Sequence, residues 1–134
     1  MPVEDTTRNI PKAKRNAYGS MLRVVYEKDE LTYGMPKFGF ALYRNGPVFR
    51  APGWHNEVPM FHTLARYAKT DLLADGFLIG EQYLSDMPCV MRVESGKGDV
   101  VVLSFDPKFR MQTDGTFKLL FNALYRYDSE NTKE

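Results

Sequence analysis

The sequence predicts one domain of the α/β class, or of the α+β class when this chain is judged alone, with a mixed β-sheet and a packed C-terminal helix. Two observations favour this fold class. Several runs of β-branched and aromatic residues are separated by turn signals, and the last long segment has apolar residues at helical spacing. The length of 134 residues fits a single core, and 43% hydrophobic residues with 13% aromatics exclude a disordered chain.

Two strands are predicted in the first half of the chain, over residues 21–26 and 38–43. Both runs are rich in β-branched and aromatic residues, and an Asn-Gly-Pro turn signal at 45–47 closes the second. A third strand is expected over 61–68, where the alternation of apolar and polar residues is mixed. Shorter predicted features are an extended piece over 48–50, a loop over 51–59, a turn at 75–76 and one helical turn over 80–84.

A β-hairpin is predicted from strands over 89–94 and 99–105, which a short connection containing two glycines joins. The second of these strands contains the continuous apolar run from Val100 to Leu103. Because a half-buried strand alternates apolar and polar residues, an unbroken run predicts a strand that is covered on both faces. The run therefore indicates a layered α/β arrangement.

The last element is predicted to be an amphipathic helix whose N-terminus is capped by Thr113 or Asp114. Its apolar residues fall at i, i+3, i+4 and i+7, and we expect this stripe to pack on the sheet. The stripe consists of Phe117, Leu120, Phe121 and Leu124. Lys118 and Asn122 are placed on the opposite side, and Arg126 suits the negative end of the helix dipole.

Composition divides the chain into three parts. Residues 1–18 are predicted to be a mobile polar leader, residues 19–127 a single domain, and residues 128–134 a polar tail. The net charge of +1 does not suggest a general polyanion-binding surface, so no nucleic-acid partner is expected. No apolar run is long enough for a signal peptide or a membrane span, which predicts a cytoplasmic protein without a membrane partner.

The sequence contains few residues suited to catalysis or metal binding. Its two histidines stand in the spacing His55-x-Glu57-x4-His62, which matches neither a helical zinc pair nor a structural zinc motif. Cys89, the single cysteine, lies inside a predicted strand, where we expect a small buried thiol rather than a nucleophile. We therefore predict no catalytic residues, no metal and no cofactor.

The loop over 106–116 is the strongest candidate for a ligand site, because it lies between an apolar strand and the N-terminus of a helix. Four of its side chains could converge on an anionic or polar ligand: Arg110, Gln112, Thr113 and Thr116. In the alternative interpretation, Arg110 and Gln112 form hydrogen bonds with the neighbouring backbone and only fix the loop. The sequence leaves both interpretations open.

The segment from Phe109 to Leu124, with the pattern FR-x-QT-x-GTFKLLFNAL, resembles the C-terminal end of bacterial zinc carboxypeptidase family proteins. Further similarity upstream, such as GFL-x-GE at 76–81 and GKGDVV at 96–101, extends the resemblance over about residues 18–126. In those proteins a peptidase domain is followed by a domain similar to class I glutamine amidotransferases. The resemblance therefore implies that this chain corresponds to the later part of a three-layer, amidotransferase-like fold.

The resemblance implies a non-catalytic accessory module with a structural or ligand-binding role, because the zinc motif and the amidotransferase nucleophile of the family do not occur in these residues. One alternative is half of an enzyme or anion-binding site that a subunit interface completes. Another is a protein-interaction module that presents Trp54 and Phe61. The partners expected are a second copy of the chain, in a homo-oligomer, or a separately encoded peptidase domain.

Overall fold

The computed structural model describes residues 4–50, 61–109 and 114–131. Within these ranges the strands are β1 (Glu4–Asp5), β2 (Ser20–Tyr26), β3 (Phe38–Tyr43), β4 (Phe49–Arg50), β5 (Phe61–Tyr67), β6 (Leu73–Asp75), β7 (Pro88–Ser95) and β8 (Gly98–Leu103). Two 3₁₀ turns span Glu30–Thr32 and Glu81–Tyr83, and one helix, α1, spans Asp114–Asn131. Every strand predicted above is present, with bounds that differ by at most two residues at either end.

Six of the strands form one sheet that curls into a half-barrel. The order along the sheet is β3-β2-β5-β7-β8, and the short β6 pairs with the first half of β2. β1 and β4 form a separate two-stranded ribbon. The strand pairs among the described residues are all antiparallel, and one helix follows them, so the α+β class is confirmed.

The hydrophobic core lies on one face of the curled sheet, because alternate residues of a strand point to the same side. In β2 these residues are Leu22, Val24 and Tyr26, each at most 6% exposed. Tyr43 of β3 and Tyr67 of β5 are fully buried and meet edge to face, with 5.9 Å between their ring centres. Further buried members of the core are Leu64, Leu72, Leu84, Cys89 and Val90.

The hairpin of β7 and β8 is confirmed, but β8 lies at an edge of the sheet. Val100 is 40% exposed, and the rest of its apolar run is half-buried. The prediction that this strand is covered on both faces, as in a layered α/β arrangement, is therefore wrong. Valine also suits an extended backbone for local steric reasons, so an apolar run alone does not distinguish a central strand from an edge strand.

The described part of the predicted leader is attached to the domain. Besides the pairing of β1 with β4, Thr7 is 2% exposed and its hydroxyl accepts a hydrogen bond from the Val48 N–H at 3.2 Å. Arg15, which the sequence places in a solvated tail, donates to the carbonyl of Gly46 at 3.1 Å and to the Tyr43 hydroxyl. The polar residues of this segment therefore serve as hydrogen-bonding partners of the domain.

Candidate functional site

Helix α1 is held on the domain by polar side chains. The Asn122 Nδ2 donates to the carbonyls of Leu31 at 2.9 Å and Tyr33 at 3.0 Å. The Lys118 Nζ donates to the carbonyl of Gly34 at 3.3 Å. All three carbonyls belong to the loop between β2 and β3, so this loop is the main support of the helix.

Arg126 fixes the same side of α1 through a network of charged groups at the end of the sheet. Its Nη2 lies 3.0 Å from the Asp99 Oδ2, and its Nε lies 3.6 Å from the Glu30 Oε2. The same Asp99 carboxylate lies 3.5 Å from Arg92, whose guanidinium also lies 3.5 Å from Asp29. Apart from Glu30, these side chains are between 13% and 22% exposed, so water and salt screen the network less than ordinary surface pairs.

The apolar stripe of α1 faces away from the domain. Leu120 is 37% exposed, Phe121 52%, Leu124 58% and Tyr125 72%. The helix contributes the smaller Ala123 and the buried Leu119 to the core. We refer to Leu120, Phe121, Leu124 and Tyr125 as the outer face of α1.

The predicted orientation of α1 is therefore wrong. Lys118 and Asn122, expected on the outer side, contact the domain, whereas Phe121 and Leu124, expected on the sheet, point outward and Phe117 is half-buried. The reason is the chemistry of the surface that the helix meets. It is a loop that presents backbone carbonyls, beside carboxylates, and both kinds of group require donors or cations when they are covered.

A cleft of about 500 Å³ lies where the predicted ligand loop begins. Arg44, just after β3, forms part of its wall, and its Nη2 donates to the Tyr18 hydroxyl at 2.6 Å while its Nη1 lies 3.6 Å from the Asp106 Oδ2. The guanidinium also lies over the Phe109 ring, 3.9 Å from the ring centre. Because Arg44 contacts Tyr18, Asp106 and the Phe109 ring, it links the start of the loop to the end of β3.

Of the four predicted ligand-binding residues, the structure describes Thr116. This residue is 1% exposed, and its Oγ1 donates to the carbonyl of Pro107 at 2.9 Å, which fastens the start of α1 to the loop. Arg110, Gln112 and Thr113 lie outside the described residues. Their convergence on an anionic ligand, and a cap from Thr113, stay predictions.

The cysteine and one histidine can be assessed as chemical groups. Cys89 is 1% exposed and burial raises its pKa, which confirms the predicted core thiol and keeps it protonated at neutral pH. The His62 Nε2 lies 2.9 Å from the Glu94 Oε1 on the neighbouring strand. Trp54 and His55 lie outside the described residues. Among the residues that the structure describes, no group of three or more His, Cys, Asp or Glu side chains is placed to hold a metal.

Sequence reasoning did not find the residues that position α1, although two signals were present. From sequence, Glu27, Asp29 and Glu30 are interpreted as a solvated charged turn. In the structure Asp29 forms a capping box with Thr32, whose Oγ1 accepts a hydrogen bond from the Asp29 N–H at 2.9 Å. The Asp-x-x-Thr spacing was its signal. The i, i+4, i+8 spacing of Lys118, Asn122 and Arg126 marked a polar stripe as regular as the apolar one.

Comparisons with known proteins find no match to this chain among family models, curated proteins or solved structures. In the part of the chain that the structure describes, no helix combines the length and apolar character needed to cross a membrane. The function is therefore inferred from the geometry of the molecule itself.

Proposed function

We propose that this chain is a non-catalytic accessory module that assembles with protein through the outer face of α1, and that a second copy of the chain occupies this face. The observation that carries the proposal is the orientation of the helix. Its polar side is engaged by the domain, through Asn122 and Arg126, and its large apolar side chains remain in solvent. Exposing such side chains is unfavourable unless another surface covers them.

The area of this surface suits a weak interface. The four side chains of the outer face expose roughly 400 Å², since a large apolar or aromatic side chain carries about 150–250 Å². Two copies would bury roughly 800 Å² from these side chains alone, whereas the smaller stable interfaces bury about 1,200 Å².

A second copy is the partner that this chemistry favours. An apolar stripe on a helix is self-complementary, so a two-fold axis can bring the same stripe from two copies together. The net charge of +1 gives two copies little electrostatic reason to repel each other. We expect a dimer with a Kd of about 10 μM or weaker, because the area is small.

The chemical groups support a role without catalysis. Burial keeps the Cys89 thiol protonated, although a nucleophilic cysteine acts as the thiolate. His62 is paired with Glu94 on the surface of the sheet, and Arg44, which lies against the start of the 106–116 loop, contacts Tyr18 and Asp106. Each group therefore has a structural explanation.

The motif from Phe109 to Leu124 supports a place for this module in bacterial zinc carboxypeptidase family proteins. In that setting, a cytoplasmic chain and a separately encoded peptidase domain as a further partner form part of the proposal. The amidotransferase-like three-layer fold is also part of the proposal. The antiparallel pairing of the described strands adds no support to that fold.

Sedimentation velocity of the purified chain, from about 5 μM to about 500 μM, tests the second-copy partner. We expect the weight-average mass to rise toward the dimer over this range. Phe121→Glu should weaken the dimer at least about tenfold, because it places a charge in the apolar contact. Phe77→Glu is the matched control: Phe77 is 45% exposed, and its segment packs near Ser20, at the opposite end of β2 from the support of α1.

A monomer at every concentration, or a dimer that Phe121→Glu leaves unchanged, would contradict the assignment of this face to a second copy. Binding of a peptidase domain that Phe121→Glu abolishes, in a chain that stays monomeric, would contradict it as well and assign the face to that domain. Zinc-dependent release of C-terminal residues from a peptide by the purified chain, lost on adding a chelator, would contradict the non-catalytic role.

A further inference from the structure

A cleft of about 440 Å³ lies between the first part of the chain and the turn that follows β3. One wall comes from the segment over 5–15, and the other comes from the turn over 45–47. The two walls are held together by the pairing of β1 with β4 and by the Thr6 N–H, which donates to the carbonyl of Val48 at 2.8 Å. The fold therefore shapes the cleft in advance, and its volume falls in the range of small-molecule sites.

Arg15 brings a half-buried positive charge to this cleft. Its Nη1 donates to the carbonyl of Gly46 at 3.1 Å and to the Tyr43 hydroxyl, which stays neutral because burial raises its pKa to about 12. Among the described residues, no carboxylate is paired with this guanidinium. Its Nη2 keeps contact with solvent and donates to none of the described residues. Since a partly buried cation is unfavourable without an anion, the cleft lacks a negative charge beside Arg15.

Two further cations line the same cleft. Arg8 and Lys12 are exposed, and neither forms an ion pair within the described ranges. Asp5 is the one acidic residue of the lining, and its Oδ1 accepts hydrogen bonds from the Thr7 N–H at 2.8 Å and from the Thr7 hydroxyl at 2.7 Å. Three cations against one carboxylate leave an excess of two positive charges in the cleft.

We propose that this cleft binds a phosphate group in its dianionic form, held by the fixed guanidinium of Arg15 and by the side chains of Arg8 and Lys12. The two negative charges match the positive excess. A tetrahedral phosphate presents oxygens in several directions and suits donors from three positions of the chain better than a planar carboxylate does. Ile10 and Pro47 also line the cleft, which is larger than a phosphate ion, so there is room for an apolar organic group on the phosphate.

Inorganic phosphate and phenyl phosphate are the probes for the test. They are added to the full chain at about pH 8, where a phosphate monoester is dianionic, and NaCl keeps the ionic strength at about 0.15 M. Backbone ¹H–¹⁵N NMR follows Lys12 and Asn45 in the cleft, with Gly98 at the turn of the β7–β8 hairpin as the internal control. We expect saturable shifts of Lys12 and Asn45 alone, with a Kd of about 1 mM for so small a ligand. Tighter binding of phenyl phosphate would assign the site to a phosphate monoester, and equal binding would assign it to the phosphate ion.

The variants use exposed residues, so they do not disturb the core. Arg8→Gln and Lys12→Gln should each weaken phosphate binding at least about threefold, because each removes one partner of the ligand. Lys14→Gln is the matched control: Lys14 is exposed in the same segment but does not line the cleft, so the Kd should stay unchanged. Phe121→Glu should bind phosphate like the original chain, which separates this site from the dimer.

Three results would overturn the proposal. The first is the absence of a saturable shift of Lys12 and Asn45 with either probe. The second is a loss of binding in Lys14→Gln as large as that in Lys12→Gln, which would show a general effect of charge. The third is phosphate binding by both Arg8→Gln and Lys12→Gln that equals that of the original chain.

Discussion

Two tyrosines of the core, Tyr26 and Tyr67, differ in whether their hydroxyl groups have a hydrogen-bond partner. The Tyr67 hydroxyl lies 2.7 Å from the Ser104 Oγ, and both side chains are buried. The Tyr26 hydroxyl is buried without a partner among the described residues. Removing a buried hydroxyl is unfavourable when it takes away a hydrogen bond and favourable when the hydroxyl was unsatisfied.

Replacing each tyrosine with phenylalanine should therefore change stability in opposite directions. Tyr67→Phe should lower the free energy of unfolding by about 1–2 kcal/mol, because it leaves the Ser104 hydroxyl buried and unpaired. Tyr26→Phe should raise it by about 1 kcal/mol, because it removes a buried hydroxyl that has no partner among the described residues. Urea denaturation of the two variants beside the original chain measures both values. A loss of stability in Tyr26→Phe as large as that in Tyr67→Phe would show that the Tyr26 hydroxyl has a partner.

At the scale of elements, α1 shows that the surface beneath a helix decides which side it buries. The loop between β2 and β3 offers the carbonyls of Leu31, Tyr33 and Gly34, and the sheet end offers Asp99. An apolar side chain placed on these groups would remove them from water without supplying donors. The polar stripe of the helix supplies those donors, so the apolar stripe is left outside.

Asn122 is the residue on which this attachment can be tested. Asn122→Ala should lower the free energy of unfolding by about 1 kcal/mol, because two carbonyls lose their donor and the better helix propensity of alanine offsets only part of the loss. Asn122→Asp should lower it further, since it sets a carboxylate against the same two carbonyl oxygens. Denaturant unfolding gives the stability, and amide hydrogen exchange in α1 should accelerate in the same order.

A matched control lies on the other side of the same helix. Tyr125 is 72% exposed, so Tyr125→Ala should change the stability of the dilute, monomeric chain by no more than about 0.5 kcal/mol. Equal effects of Tyr125→Ala and Asn122→Ala would contradict the orientation of α1. A stability of Asn122→Asp at or above that of Asn122→Ala would contradict the two hydrogen bonds.

The strands could be predicted from sequence because their signals are local. β-branched and aromatic runs bounded by turns were enough for β2, β3, β5 and the β7–β8 hairpin. The order of the strands, the edge position of β8 and the short β6 were not predictable in this way, because they depend on pairings between distant segments. The prediction of which side of α1 is buried was wrong for a related reason. Periodicity identifies a stripe on a helix but not the chemistry of the surface that the helix meets.

The candidate sites divide in the same manner. The 106–116 loop could be selected as a candidate because a strand followed by a helix N-terminus is a local pattern, and its role as a ligand site stays a prediction. The hydrogen bond from Thr116 to the Pro107 carbonyl fastens the start of α1 to this loop. The cleft beside Arg15 depends on the contact between the first part of the chain and the turn that follows β3. The network of Arg92 and Asp99 joins residues that lie far apart in the chain, such as Asp29 and Arg126. No spacing rule in one sequence brings such residues together.

At the scale of the whole molecule, the half-barrel buries four weakly acidic groups in one core. These are the thiol of Cys89 and the phenols of Tyr26, Tyr43 and Tyr67. Burial raises the pKa of each of them above its ordinary value, and for Tyr43 to about 12. Their neutral forms are compatible with the core, whereas their anions are not.

The fold should therefore lose stability at alkaline pH. Because each pKa is higher in the folded chain, the folded state binds more protons than the unfolded state once the unfolded groups ionise. Stability is then fully present below the ordinary pKa of 9.0 for cysteine and 10.0 for tyrosine, and it falls as the pH rises toward 12, the value of Tyr43. Each group whose protonation differs between the two states contributes a slope of about 1.4 kcal/mol per pH unit.

Urea denaturation between about pH 7 and about pH 11 measures this loss, and the decline should begin near pH 9 and steepen above pH 10. Cys89→Ala removes the group that ionises first in the unfolded chain, so its decline should begin about one pH unit later. General repulsion between surface charges is screened at about 0.5 M NaCl, whereas the titration of buried groups is not, so the decline should persist in salt. A stability that stays constant to pH 11, or a decline that salt abolishes, would show that the four groups are not buried together in the folded chain.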